Sequence, residues 1–238
     1  MLALDDRPRF WRRFVVTPSQ GQVVSEVEDD FHCMRVTLQH DGKIATAVKG
    51  EMIRAPWTTC PGAPVQLEKT FTGVALDSFV ARGEKQINCT HLHDLATIAA
   101  AHAHDTAPLV YDILVSDPVE GRREAEVRLN GTPLLRWTLD GIDIAAPAEI
   151  AGLNLFKLGD WIGTLEPGMQ EAARVLRWGS LIANGRTIPL AQQSDASKLP
   201  PNCYTFQPDM ARKAKRVGLI RDFSNGTEQP LDGRVAAR

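Results

Sequence analysis

Long apolar runs are missing from this 238-residue chain. None approaches the roughly 18 residues that a membrane-crossing helix needs, and the longer apolar stretches are broken by His, Asp or Gly. An excess of one charge is missing too: 27 lysines and arginines face 29 aspartates and glutamates. Such a balance gives no general attraction to phosphate backbones or anionic lipid, so neither nucleic acid nor a membrane is expected as a partner. Cysteine is sparse and scattered, with Cys33, Cys60, Cys89 and Cys203 far apart and no CxxC pair. With no secretory context, reduced thiols are the expectation, and a zinc ribbon is not, because structural zinc sites announce themselves by closely spaced ligand pairs. GxSxG, Walker A and GxGxxG do not occur, which disfavours a hydrolase elbow, an NTPase and a Rossmann dehydrogenase. Residues 1–14 are charged from the fifth position and lack the apolar core and cleavage site of a secretory signal. The expectation is a cytoplasmic protein, mature as written.

What is present is period-two alternation over residues 23–53 on either side of His40-Asp41-Gly42-Lys43, which predicts a β-hairpin. Ala55-Pro56-Trp57 and Cys60-Pro61-Gly62 predict a bend, since proline removes an amide donor and restricts its predecessor. Residues 64–70 and 74–81 read as short helices around Gly73, and 91–104 as a longer, alanine-rich one. From 109 to 144 the period returns to two, with Asn130-Gly131 between two of three predicted antiparallel strands. A helix after Pro147 closes the core before Gly185. The fold class expected is α+β, an antiparallel sheet packed against helices in one domain. Residues 1–22 form an arm in this reading, 23–190 the core, and 191–238 an irregular segment laid on it.

The densest chemistry runs from Cys89 to Asp105, with one thiol, four histidines and two aspartates. Helix geometry separates them: His91 and His102 share a face but stand ~16 Å apart, and His93 and His104 repeat that spacing. No two can chelate one ion within the helix, as the i,i+4 pair of HExxH does. The wheel gives Leu92, Leu95, Ala96, Ala99 and Ala103 as the core stripe, His91 and His102 at its edge, and His93, Asp94, Thr97 and His104 turned to solvent. A half-buried imidazole titrates near neutrality and stays aimed, which acid/base work requires. Thr90 is placed as N-cap, with Asn88 as the alternative. Cys89 then stands at the helix mouth, where amides and dipole favour a thiolate or a bound oxyanion. The plainer alternative is that Thr90 only caps, Cys89 packs as a small hydrophobe and His91 binds a carbonyl.

Arg54-Ala55-Pro56-Trp57 with Cys60-Pro61, Cys89-Thr90-His91-Leu92, Cys203-Tyr204-Thr205-Phe206 and Arg221-Asp222-Phe223 together resemble the bacterial proteins catalogued as domain of unknown function 2889. The resemblance covers most of the chain; the family's glycine before the central cysteine is Asn88 here. A more distant likeness is to the iron–sulfur scaffold and SufE-like fold, in which Cys60 would stand at a strand end and Cys89 at a later helix start. The scaffolds' third cysteine, in a loop between early strands, has residues 40–43 in its place.

Two basic runs remain: Arg7, Arg9, Arg12 and Arg13 among Phe10, Trp11 and Phe14, and Arg212, Lys213, Lys215 and Arg216. Both read as solvated arms or helix faces. Tyr204, Arg221 and Asp222 either fold back over a pocket or make structural hydrogen bonds. Trp57, Trp137, Trp161 and Trp178 either converge on an aromatic ligand or fill the core. The functional expectation is a cofactor-independent lyase acting on a small aromatic compound by acid/base chemistry. Retro-aldol cleavage of a C–C bond would release a small aldehyde such as formaldehyde. His91, Cys89, Thr90, Tyr204 and Asp222 are the candidate catalytic residues. Arg54, Trp57, Cys60, His102 and Arg221 are the candidate substrate contacts. Neither metal nor cofactor is expected, and a homo-oligomer stays open. The alternatives are a sulfur- or metal-handling module built on Cys60, Cys89 and His91, or a small-molecule-binding protein without turnover.

Overall fold

In the computed structural model, which describes residues 4–218 and 220–233, the first strand begins where an arm was expected. Strand β1, Arg9–Ser19, carries Phe10, Phe14, Val15 and Val16 into full burial, together with Arg9 and Arg12. Apolar residues on both faces make this a core strand rather than a solvated arm. Then come β2 (Gln22–Glu28), β3 (Cys33–His40) and β4 (Ala45–Arg54). The expected hairpin at residues 40–43 is present: Gly42 adopts φ +97°, and Asp41 Oδ1 accepts from the amides of Lys43 and Ile44 at 2.8 Å each. The alternation from 23 to 40 hides a second reversal. β2 and β3 pair from Gln22↔Gln39 to Glu28↔Cys33, so residues 29–32 form a tight turn.

Helix α1, Ala63–Phe71, follows the proline bend, and helix α2 spans Thr90–Ala101. Between them only Leu76–Ser78 makes a 3-10 turn, so the helix expected over 74–81 does not form. Gly50 lets both helices close on β4, since a Cβ there would meet Leu92 Cδ1 at 3.0 Å and Leu67 Cδ2 at 3.3 Å. The Ser25 hydroxyl donates to the Leu95 carbonyl at 2.7 Å and ties α2 to β2. β5 (Leu109–Ser116), β6 (Arg122–Leu129) and β7 (Thr132–Asp140) occupy the three predicted strand positions. Asn130 and Gly131 turn between the last two at φ +49° and +82°, the left-handed pair that a two-residue hairpin demands. A short fourth strand, β8 (Asp143–Ala146), was not anticipated. Helices α3 (Gly159–Gly163) and α4 (Pro167–Ala183) complete the sequence of elements.

The strands form one antiparallel sheet in the order β4-β3-β2-β1-β5-β6-β7-β8, and with the helices they give the α+β class expected. The chain clusters into two compact units. One contains residues up to Arg13, Val110–Pro189 and Asp222–Asp232; its α4 packs on β6 and β7, with Gly179 against Ile113. The other contains Phe14–Leu109 and Leu190–Arg221, with α1 and α2 on β2, β3 and β4. Beyond Ala191, where an irregular segment was expected, the chain makes short 3-10 turns and a four-residue helix. Residues 1–3 of the expected arm, and 219 and 234–238 of that segment, lie outside the described residues. Among the described residues no helix is long and apolar enough to cross a membrane.

Candidate active site

The turn at residues 29–32 is organised by one fully buried carboxylate. Asp29 accepts from the amides of Phe31 and His32 at 2.8 and 2.9 Å, closing a side-chain turn of the kind Asp favours. His32 Nδ1 lies 3.0 Å from the same carboxylate. Arg54, from the end of β4, donates to the carbonyls of Asp30 and Asp29 at 2.6 and 2.7 Å and to Glu28 Oε1 at 2.9 Å. Arg221 adds a bond to Glu28 Oε1 at 3.2 Å, and its amide donates to the Asp30 carbonyl at 2.9 Å. Arg54 and Arg221 were two of the candidate substrate contacts. Both clamp the turn, with Glu28 and, for Arg54, the carbonyls of the reversal as their acceptors.

This turn delivers His32 to the mouth of α2. The His32 and His91 rings stack with centroids 3.9 Å apart and planes 29° from parallel. Cys89 Sγ lies 3.9 Å from His91 Nδ1. Two imidazolium charges at about 4 Å would repel by about 4 kcal/mol at an effective dielectric of 20. With Asp29 fixed against His32, a proton taken by His91 has a neighbouring imidazole–carboxylate pair to answer it.

The N-cap of α2 is Cys89, at φ −64° and ψ 118°, and Thr90 is the first helical residue. Neither Thr90 nor Asn88 caps, because Asn88 is drawn inward, its amide donating to Thr70 Oγ1 and to the Glu84 carbonyl at 2.9 Å each. Burial pushes the Cys89 thiol up to about 12 even though the His91 and Leu92 amides oppose it. The helix-mouth thiolate expected from the dipole is therefore overturned: desolvation outweighs the amides, and the group is a neutral thiol at physiological pH.

The late segment does reach this mouth. The Tyr204 amide donates to the Asn88 carbonyl at 2.8 Å, and its ring lies so close to Gly62 that a Cβ there would sit 2.7 Å from the phenol oxygen. The Thr205 hydroxyl lies 3.3 Å from both Cys60 Sγ and Thr59 Oγ1. Cys60 and Cys203 stand near enough to Cys89 to disfavour its thiolate further. Burial raises Cys203 to about 11 and also raises Cys60. The structure thus brings Tyr204 and Cys203 to the helix mouth that carries Cys89 and His91, with Cys60 close enough to act on Cys89; Cys203 had not been singled out.

Other expectations move. Asp222 clusters with the unit that lacks this site, where it accepts from the Ser224 amide at 2.9 Å and faces Arg186 at 3.5 Å. His102 is the C-cap of α2, 2.7 Å from Asp105 at the far end of the helix. His93 and Asp94, placed in solvent by the wheel, are buried. Residues 79–88 fold over that face, so His93 Nε2 meets the Gly83 carbonyl at 2.8 Å and Asp94 pairs with Lys85. Trp57 is 3% exposed and offers no open face to a substrate ring. Its neighbours are Phe206, edge-on at 5.8 Å, and the Arg216 guanidinium at 5.3 Å. Trp137 and Trp161 pack on each other in the other unit.

Asp29, His32, Cys203, Thr205 and Arg216 are the site residues that sequence reasoning passed over. The signal for the first two was an Asp-Asp pair with a histidine three positions on, inside what read as one uninterrupted strand. Among the described residues, no group of three or more His, Cys, Asp and Glu side chains is arranged to hold a metal ion. Compared with family models and with curated proteins, the chain matches none.

Proposed function

We propose that this protein is a cofactor-independent lyase that cleaves a C–C bond in a small aromatic compound by acid/base chemistry. The observation that carries the reading is the face-to-face His91–His32 pair backed by buried Asp29. His91 takes the hydroxyl proton of a substrate bearing a hydroxymethyl group. The oxygen lone pair closes to a carbonyl, the C–C bond breaks and formaldehyde leaves. The bond's electrons pass to the ring-bearing carbon, which takes a proton back or expels a leaving group. The Cys89 thiol, neutral and 3.9 Å from His91 Nδ1, suits a proton donor better than a nucleophile. Formaldehyde release from hydroxymethyl-bearing aromatic alcohols, followed colorimetrically, tests this. His91→Ala and His32→Ala should each lower the rate by about 10²–10⁴-fold. An unchanged rate in His91→Ala, or no aldehyde from any such compound, rejects it.

The second reading, a sulfur- or metal-handling module of the kind the SufE-like resemblance implies, draws on Cys60 and Cys203 standing near enough to act on Cys89, although the described residues hold no preformed metal site. Stoichiometric iron or zinc in purified protein, lost with Cys60→Ser and Cys89→Ser, would replace the lyase reading.

A further inference from the structure

Arg216 is the one member of its basic run that turns inward. Residues 215–217 run antiparallel to 56–58: the Thr58 amide donates to the Lys215 carbonyl at 3.0 Å, the Lys215 amide to Thr58 Oγ1 at 3.0 Å, and the Val217 amide to the Pro56 carbonyl at 2.8 Å. This pairing fixes the backbone of Arg216 opposite Trp57. Its guanidinium lies 5.3 Å from the Trp57 ring centroid and 5.9 Å from that of Phe31. Nε is buried without a hydrogen-bond partner. Among the described residues no carboxylate pairs with this cation, and the ionisable group acting on it is the Cys60 thiol. Arg54 and Arg221, by contrast, are both held by Glu28. A guanidinium laid on aromatic rings keeps its planar donor fork aimed, and one with no internal anion is left to a ligand.

Its position ties it to the histidines. Arg216 touches Phe31, whose ring meets His32 edge-on at 6.1 Å. His32 stacks on His91, and His91 adjoins Cys89. Cys60 acts electrostatically on both Cys89 and Arg216, which places the guanidinium in the neighbourhood of the helix mouth.

We infer that Arg216 is the carboxylate-recognition group of this site, and that the molecule taken there is an aromatic carboxylic acid. The inference rests on the lyase reading only for the aromatic part. A carboxylate matches the fork with two parallel charge-assisted bonds, and a neutral amide of the same shape does not. Titration calorimetry with benzoate and benzamide tests it without any turnover. Benzoate should bind the wild-type protein roughly tenfold or more tightly than benzamide. Arg216→Gln should erase that preference, and Arg216→Lys, which keeps the charge but loses the fork, should retain part of it. Equal affinity for the two probes, no heat from either, or an undiminished preference in Arg216→Gln in protein that melts like wild type would overturn it. The wild-type comparison needs no variant, so misfolding cannot mask the answer. Benzoate selectivity without aldehyde release would leave this assignment standing and sink the lyase reading. Aldehyde release that Arg216→Gln leaves unchanged would do the opposite.

Discussion

Replacing Asp29 separates the architecture of the site from its chemistry. The carboxylate is fully buried and accepts at least three bonds, from the amides of Phe31 and His32 and from His32 Nδ1, at 2.8, 2.9 and 3.0 Å. Asp29→Ala leaves two buried amides without acceptors. Each orphan costs about 1–3 kcal/mol, so about 2–6 kcal/mol is expected for the two. That is a large part of a total stability of about 5–15 kcal/mol. Asp29→Asn keeps an oxygen for both amides and loses only the charge-assisted share, so about 1–2 kcal/mol is expected. Urea unfolding gives both values as shifts of midpoint at constant slope. For catalysis the order reverses in interest, because the folded Asn variant no longer presents an anion to His32. Aldehyde release by Asp29→Asn should fall by about 10²–10⁴-fold with the fold intact. Loss of less than about 0.5 kcal/mol in both variants, or full activity in Asp29→Asn, would refute the assignment of Asp29 as organiser of turn and relay.

Two further outcomes follow from the same geometry. Burial raises the Cys89 thiol from an unfolded value of 9.0 to about 12. Its contribution to stability is therefore whole below pH 9 and is lost as pH climbs towards 12, because the unfolded thiol ionises first. Relative to Cys89→Ala, the wild-type protein should lose about 2 kcal/mol by about pH 10.5, and a stability difference that stays flat in urea titrations from about pH 8 upward contradicts the burial argument. Gly62→Ala places a Cβ 2.7 Å from the Tyr204 oxygen and should destabilise by about 1–3 kcal/mol. Adding Tyr204→Ala should relieve part of that loss, whereas strictly additive melting shifts would show that the ring does not rest there.

What was legible in the sequence was what local chemistry dictates. Asp41-Gly42 and Asn130-Gly131 announced their turns because positive φ selects those residues. The start of α2 could be placed to within a residue at Cys89 and Thr90. The reversal at 29–32 went unread because it contains neither Gly nor Pro and is held by a carboxylate reaching the next amides, a pattern that alternation alone does not distinguish from strand. His93 and Asp94 were misplaced because a helical wheel shows which residues share a face but not what covers it. Here the cover is residues 79–88. The roles of Arg54 and Arg221 depended on Glu28 at the end of β2, and that neighbour exists only once the strands are paired.

The strapping of residues 203–217 onto the bend at 56–62 and the mouth of α2 has a kinetic consequence. The site draws on positions near 30, 60, 90, 204 and 216, so its contacts close loops of well over 100 residues. Loops of that length form slowly and late, after the hairpins on which they land. The imidazole stack, by contrast, joins only His32 to His91, a shorter loop that can close as soon as α2 settles on the sheet. The strap is built of short turns and one four-residue helix outside the sheet, so in the folded protein it is the segment expected to open locally without global unfolding. Opening would bare the three thiols together while leaving the stacked histidines in place, and amide exchange at Tyr204 and Val217 that outpaces exchange at Leu95 would report that event.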